Sequence, residues 1–193
     1  PYLHNSVKGN AITKNKTVAQ SIRLVFWEKA CYDKEKAEGR AGMLLAIDIG
    51  NSNISVGLFG EGRDLKFLAS IDTDSRKTAD QISIDLMNLF ALYGYDIRQV
   101  TGAIFSSVVP GINFMMHKAL TRLLGKEPMV VGPGIKTGLN IRMEVHNQLG
   151  TDLVANAVAA LEKYPAPIIM IEMGTATTIS YISRQRTYEG GMM

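Results

Sequence analysis

Ala46-Ile47-Asp48-Ile49-Gly50-Asn51-Ser52-Asn53-Ile54-Ser55 and Met170-Ile171-Glu172-Met173-Gly174-Thr175-Ala176-Thr177-Thr178-Ile179-Ser180 are two renderings of one pattern. Each reads as an apolar strand, an acid, an apolar residue, a glycine, small polar residues and a second strand. A pattern that recurs within one chain marks a duplicated structural unit. The chain therefore opens one unit near residue 43 and begins a second of the same design near residue 167.

The pattern also carries chemistry. Glycine lets the backbone turn sharply and come close to an anion. Successive N–H groups of such a turn, helped by short hydroxyl and amide side chains, point at phosphate oxygens. The acid at the strand's end is repelled by phosphate, and makes sense as the anchor of a hydrated Mg²⁺ that faces it. One such turn reads equally well as a plain hairpin. Two in register, opposed across a cleft, are suited to grip the phosphate tail of ATP from both sides. The P-loop and dinucleotide-binding fingerprints are both missing from the sequence, so those folds lack support.

Outward from the first turn the chain alternates strand and helix. Residues 43–49, 54–59 and 67–71 read as antiparallel strands. Thr78-Ala79-Asp80-Gln81 has the form of a capping box. The helix it opens places Ile82, Leu86, Leu89, Phe90 and Tyr93 on one stripe and stops at Gly94. A β-branched strand over 100–109 closes at Pro110, a helix follows over 112–124 to Gly125, and 129–131 is a short strand. The loop Gly132-Pro133-Gly134-Ile135-Lys136-Thr137-Gly138 comes next, then a helix over 149–164 with Val154, Val158 and Leu161 inward. Pro165 and Pro167 end that helix, and strands over 168–171 and 178–182 start the second unit. The expected organisation is a leader over 1–42, a first domain over 43–166 that folds by itself, and a second domain over 167–193 that is incomplete.

Apolar residues make up 46% of the 193 and charged residues 20%, an ordinary globular balance. The formal charge of +3 is lopsided. Residues 1–42 hold eight Lys/Arg against four Asp/Glu, and residues 43–193 thirteen against fourteen. The basic character thus belongs to the leader and gives the body no nucleic-acid footprint. The leader's own acids, Glu28, Asp33, Glu35 and Glu38, suit a transit peptide poorly, and it reads as flexible or non-native. No apolar run is long enough for a membrane span. Cys31 is the single cysteine, which excludes a disulfide framework and a cysteine-built metal site, and fits a reducing cytoplasm. His117 lies on a helix among Met115, Met116 and Leu120 as a surface or boundary residue, and His146 has no second histidine at metal spacing. Lys136 reads either as a phosphate neighbour or as a solvated loop lysine.

The segments Asp48-Ile49-Gly50-Asn51-Ser52-Asn53, Thr78-Ala79-Asp80, Ser106-Ser107-Val108-Val109-Pro110, Gly134-Ile135-Lys136-Thr137-Gly138-Leu139, Gly150-Thr151-Asp152 and Gly174-Thr175-Ala176-Thr177-Thr178 stand in this order over residues 43–193. In this they resemble the type III pantothenate kinases of the actin-like ATPase superfamily. The resemblance implies an α/β fold of duplicated ribonuclease H-like domains with mixed sheets. It implies ATP-dependent phosphorylation of pantothenate, the first step toward coenzyme A, by a cytoplasmic homodimer that uses Mg²⁺ and a monovalent cation, K⁺ or NH₄⁺. By the same likeness Asp48, Ile49, Gly50, Asn51, Ser52, Asn53, Ile54 and Ser55 form the first ATP-binding turn, and Gly174 and Thr175 belong to the second. Gly150, Thr151, Asp152 and Leu153 bind pantothenate, with Asp152 as proton acceptor.

The chain departs from the family pattern in places. Glu172 stands where an aspartate is the monovalent-cation ligand, Met143 where a substrate-contacting tyrosine is frequent, and Leu153 where arginine often follows the catalytic aspartate. Two other readings stay open on the residues alone. One is another kinase of the superfamily, acting on a sugar or acetate. The other is a degenerate, non-catalytic nucleotide-binding or regulatory relative. For Asp152 itself, the alternative to proton acceptor is a helix cap.

Overall fold

The computed structural model describes residues 42–60, 64–132, 138–142, 150–173 and 177–192. Its first sheet has five strands in the order β3-β2-β1-β4-β5. These are β1 (Met43–Ile49), β2 (Asn53–Phe59), β3 (Leu65–Asp72), β4 (Val100–Ser107) and β5 (Met129–Val130). The β1–β2–β3 pairings are antiparallel, as the short turns between them require, while β4 returns parallel to β1 and β5 parallel to β4. The sheet is therefore mixed.

One face of this sheet is closed by helices α1 (Ala79–Leu92) and α2 (Pro110–Leu124). Leu45, Ile47, Ile49, Ile54, Val56 and Leu58 from the strands meet Ile82, Leu86, Phe90, Ile112, Met116 and Leu120 from the helices, all buried. The capping box that opens α1 is formed in both directions: Thr78 Oγ1 accepts from the Gln81 N–H, and Gln81 Oε1 accepts from the Thr78 N–H at 2.9 Å. Thr78→Ala should remove about 1 kcal/mol of stability, to be read from chemical denaturation. Tyr93 is not inside the stripe as expected but caps its end, 42% exposed, with its ring stacked 4.6 Å from that of Phe67. Strand β4 ends at Ser107 rather than 109, because Pro110 opens α2 at its first turn, where a missing N–H costs nothing. Gly125, at φ 64°, ends α2 in the left-handed conformation.

The second sheet runs β6-β9-β8-β7, comprising β6 (Asn140–Ile141), β7 (Ile168–Met173), β8 (Thr177–Ile182) and β9 (Thr187–Met192). Strands β7, β8 and β9 pair antiparallel, and β6 joins β9 in parallel. Between β6 and β7 in sequence lies α3 (Thr151–Lys163). Ala155 of α3 packs with Ala46, Phe59, Ile104 and Val131 of the first sheet, and Ala157 and Leu161 pack with Ile182 and Tyr188 of the second. The helix is thus wedged between the sheets. That corrects the expected inward set of Val154, Val158 and Leu161. Ala155, Asn156, Ala157, Ala159 and Leu161 are buried, and the two valines only half so. A helix contacted from both sides needs small side chains to let both neighbours approach.

The two units differ on their outer faces. Register pairs Ile47 with Val56 and Leu45 with Leu58 in the first sheet, and Ile171 with Ile179 and Ile169 with Tyr181 in the second. The second turn is therefore one residue shorter than the first, so that Thr178, not Ile179, matches Ser55. By this matching Ile169, Ile171, Met173, Ile179 and Tyr181 correspond to Leu45, Ile47, Ile49, Val56 and Leu58. The first-sheet set lies at 0% exposure under α1 and α2, and the second-sheet set at 40–70%.

Candidate active site

Asp48 and Glu172 hold equivalent places, near the ends of β1 and β7, the first strand of each hairpin, and on the face turned toward α3. Asp48 is half-buried, opposite Ser55 on β2 and Ser106 on β4. Ser106 Oγ is fully buried and donates to Asp48 Oδ1 at 2.6 Å, the short distance expected of a hydroxyl on an ionised carboxylate. This fixes the orientation of the acid.

The turn after Asp48 is held from three directions. The Gly50 N–H donates to Asn53 O at 3.0 Å, Thr73 Oγ1 donates to Gly50 O at 2.7 Å, and the Thr73 N–H donates to Ser52 O at 3.0 Å. From the other side the Val108 N–H donates to Ile49 O at 3.0 Å. A Cβ on Gly50 would lie 3.1 Å from Asn53 O, so glycine suits the position by close approach. Asn51, Ser52 and Asn53 are exposed, whereas the side chains of Ile49 and Ile54 belong to the core. Any part the two isoleucines take in ligand binding is through backbone alone.

Helix α3 brings the next acid. Its N-cap is Gly150, and Thr151 Oγ1 reaches Ser107 O at 3.4 Å, placing the helix start beside the end of β4. Asp152 Oδ1 accepts the Leu153 N–H at 2.9 Å in the first turn of the helix. In this rotamer the Asp152 carboxylate lies against Gly150, in the space a Cβ there would take.

Glu172 is half-buried on the inner face of β7, opposite Thr178. Tyr188 on β9 is 1% exposed, with its hydroxyl 2.9 Å from Ser180 Oγ. Burial pushes the Tyr188 phenol above its ordinary range, against the Ser180 hydrogen bond, and the negative charges of Glu172 and Asp152 push it further. Two acids from different elements thus act on one buried phenol. Among the sequence-derived candidates, the structure gathers Asp48 with Ser55 and the exposed turn, while the charges of Asp152 and Glu172 both act on Tyr188. Gly174, Thr175 and Met143, with Lys136 and His146, lie outside the described residues. His117 pairs with Glu127 at 2.7 Å near the surface, as a boundary residue does.

Sequence reasoning passed over Thr73 and Tyr188 and gave Ser106 and Ser180 no role. Both serines left a signal, Ser106 inside the Ser106-Ser107-Val108-Val109-Pro110 run and Ser180 at the end of the second repeated pattern. Among the described residues no three His, Cys, Asp or Glu side chains gather to hold a metal. Mg²⁺ asks for less than that, since it keeps several waters and takes one or two carboxylates with substrate phosphates. Asp48, partly exposed and braced by Ser106, fits that demand.

Two mixed sheets, with an acid near the end of β1 and of β7 and an acid-bearing helix wedged between them, make a duplicated α/β architecture. The chain belongs to the type III pantothenate kinase family, whose sequence model matches residues 44–193. It is 44% identical over 149 residues to the type III pantothenate kinase of Brevibacillus brevis, covering 77% of this chain and 58% of that protein. It is 42% identical over 149 residues to that of Moorella thermoacetica, with the same coverages. The chain thus spans about three-fifths of the length of the curated relatives it matches. Among solved structures, an archaeal actin homolog aligns with a TM-score of 0.45 and 10% identity, over 77% of this chain and 55% of that one. A Bacteroides thetaiotaomicron protein with an actin-like ATPase fold aligns with a TM-score of 0.36 and 12% identity, over 57% and 38%.

Proposed function

We propose that the protein transfers the γ-phosphoryl group of ATP to the primary hydroxyl of pantothenate, giving 4'-phosphopantothenate and ADP. The observation that carries this reading is Asp152. It stands at the start of the helix between the sheets, in a Gly-Thr-Asp run whose glycine is the N-cap. In this reading the turn 48–55 takes the phosphates through its exposed polar residues, and Gly174 and Thr175 take them from the other side. Gly150, Thr151, Leu153 and Met143 line the place of pantothenate. The hydroxyl oxygen attacks the γ-phosphorus, the bond to the β-γ bridging oxygen breaks, and the hydroxyl proton passes to Asp152. A weak carboxylate base suffices, because the transition state is loose and positioning dominates. Asp48 would hold Mg²⁺ through water, and Glu172 a monovalent cation such as K⁺ or NH₄⁺. Mg²⁺ would supply charge neutralisation on the phosphates.

The protein is proposed to work in the cytoplasm as a homodimer. Among the described residues no helix is long and apolar enough to cross a membrane. The halves of the duplicated unit are taken as 43–166 and 167–193 after a leader of 1–42, with Asn140–Ile141 lent across that boundary to the second sheet.

The test is a chimera in which residues 44–193 replace the matched 149 residues of the Brevibacillus brevis relative. Release of ADP that depends on pantothenate, with 4'-phosphopantothenate found by mass spectrometry, is the expected result. ADP release with a sugar or acetate but not with pantothenate would overturn the substrate, and a soluble, folded chimera with no turnover would overturn the function.

A further inference from the structure

Asn156 lies one turn beyond Asp152 on α3, so both side chains rise from the same stripe of the helix. It is 7% exposed, and its Oδ1 is buried without a hydrogen-bond partner among the described residues. Most buried polar atoms are paired, and an orphaned one asks for a reason. The neighbours of Asn156 in sequence show where it lies. Ala155 packs on the first sheet and Ala157 on the second. With about 100° between successive helical residues, Asn156 falls between those two directions, toward the seam where the sheets meet. The fold itself does not need an amide there, since alanines fill the rest of that buried surface at 155, 157 and 159.

We propose that Asn156 is a specificity-determining residue whose Oδ1 accepts the amide N–H of the substrate held by Asp152. This rests on the pantothenate reading above. Side chains four apart on a helix stand about 5–6 Å from each other. In pantothenate the primary hydroxyl and the amide nitrogen are joined through four carbons, a comparable span. A substrate with its hydroxyl at Asp152 therefore brings its N–H within reach of the next turn of α3. A buried acceptor built for a donor also rejects analogues that lack the donor, because it is then left unpaired. The same arrangement disfavours polyols, which carry no amide.

The experiment uses the 193-residue chain and the near-isosteric Asn156→Leu variant. Calorimetric titration compares pantothenate with the ester analogue in which the amide N–H is replaced by oxygen, and thermal unfolding is measured without ligand. In the parent, the amide should bind at least tenfold more tightly than the ester. In Asn156→Leu that preference should vanish, while the melting temperature of the free protein rises, because an unpaired buried group has been removed. An amide-to-ester ratio unchanged by the substitution would overturn the proposal and leave the pantothenate reading standing. A fall in melting temperature would also overturn it, by showing that Oδ1 serves the fold, through an enclosed water for example. Failure of the parent to bind either compound would overturn both readings together.

Discussion

Asp48→Asn, carried in the chimera, is expected to lower kcat roughly 10²–10³-fold, the scale seen when one preorganised electrostatic contact to a transition state is lost. The fold should survive. Asparagine keeps an oxygen to accept the Ser106 hydroxyl, now bonded to the carboxylate at 2.6 Å, and the volume is unchanged. What is lost is the negative charge that anchors a hydrated Mg²⁺ before the phosphates. Asp152→Asn should cost less, about 10²-fold, since a loose transition state leaves little for a base to do. The comparison is made by steady-state kinetics with circular dichroism as the control for folding. Turnover within a few-fold of the parent in Asp48→Asn would remove Asp48 from the phosphate site.

Ile47→Ala and Ile171→Ala are the same change at matching positions of the two sheets, and the structure separates them widely. Ile47 is fully buried beneath α1 and α2. Its truncation should cost about 3–4 kcal/mol, in lost burial and the cavity left behind. Ile171 is 57% exposed. There the cost should be about 1 kcal/mol or less, mostly strand preference. Urea denaturation of the chain followed by tryptophan-independent circular dichroism gives both values. Equal losses at the two positions would mean that the outer face of the second sheet is covered in solution. Ile171→Lys sharpens the test, because it should raise solubility where the face is open and unfold the sheet where it is closed.

The parts of the fold that were legible in the sequence are those set by local chemistry. The acid–glycine turn at Asp48 announced a hairpin, and Thr78 with Gln81 announced the start of a helix. Pro110 and Gly125 bounded the next helix within a few residues. The reading failed where a residue's role depends on what arrives from elsewhere. Val154 and Val158 look like the inward face of α3 when the helix is taken with a single neighbour, and the alanines become the inward face only with two. Asn140–Ile141 is too short to read as a strand, and it becomes one because β9 pairs with it. The one-residue difference between the turns was hidden by the similarity of Ser55 and Ser180, and only the cross-strand register resolves it. At the candidate site, Asp48, Asp152 and Glu172 could be named from motifs. Tyr188 could not, since an aromatic residue before two glycines carries no sign of the acids that surround it.

The parallel pairing of β6 with β9 bears on how the chain is made. Asn140 waits for Thr187, about fifty residues downstream, before it has a partner. As the polypeptide leaves the ribosome, residues 43–131 already contain every strand of the first sheet and both helices that close it, and domains tend to fold as units during synthesis. In the second sheet β7, β8 and β9 can pair in the order they emerge, and only β6 must wait. Its earliest strand emerges first and is joined last, after α3, β7 and β8 have passed. Synthesis thus begins with a self-sufficient first sheet, and the last strand to leave, β9, is the one that gives Asn140–Ile141 its partner.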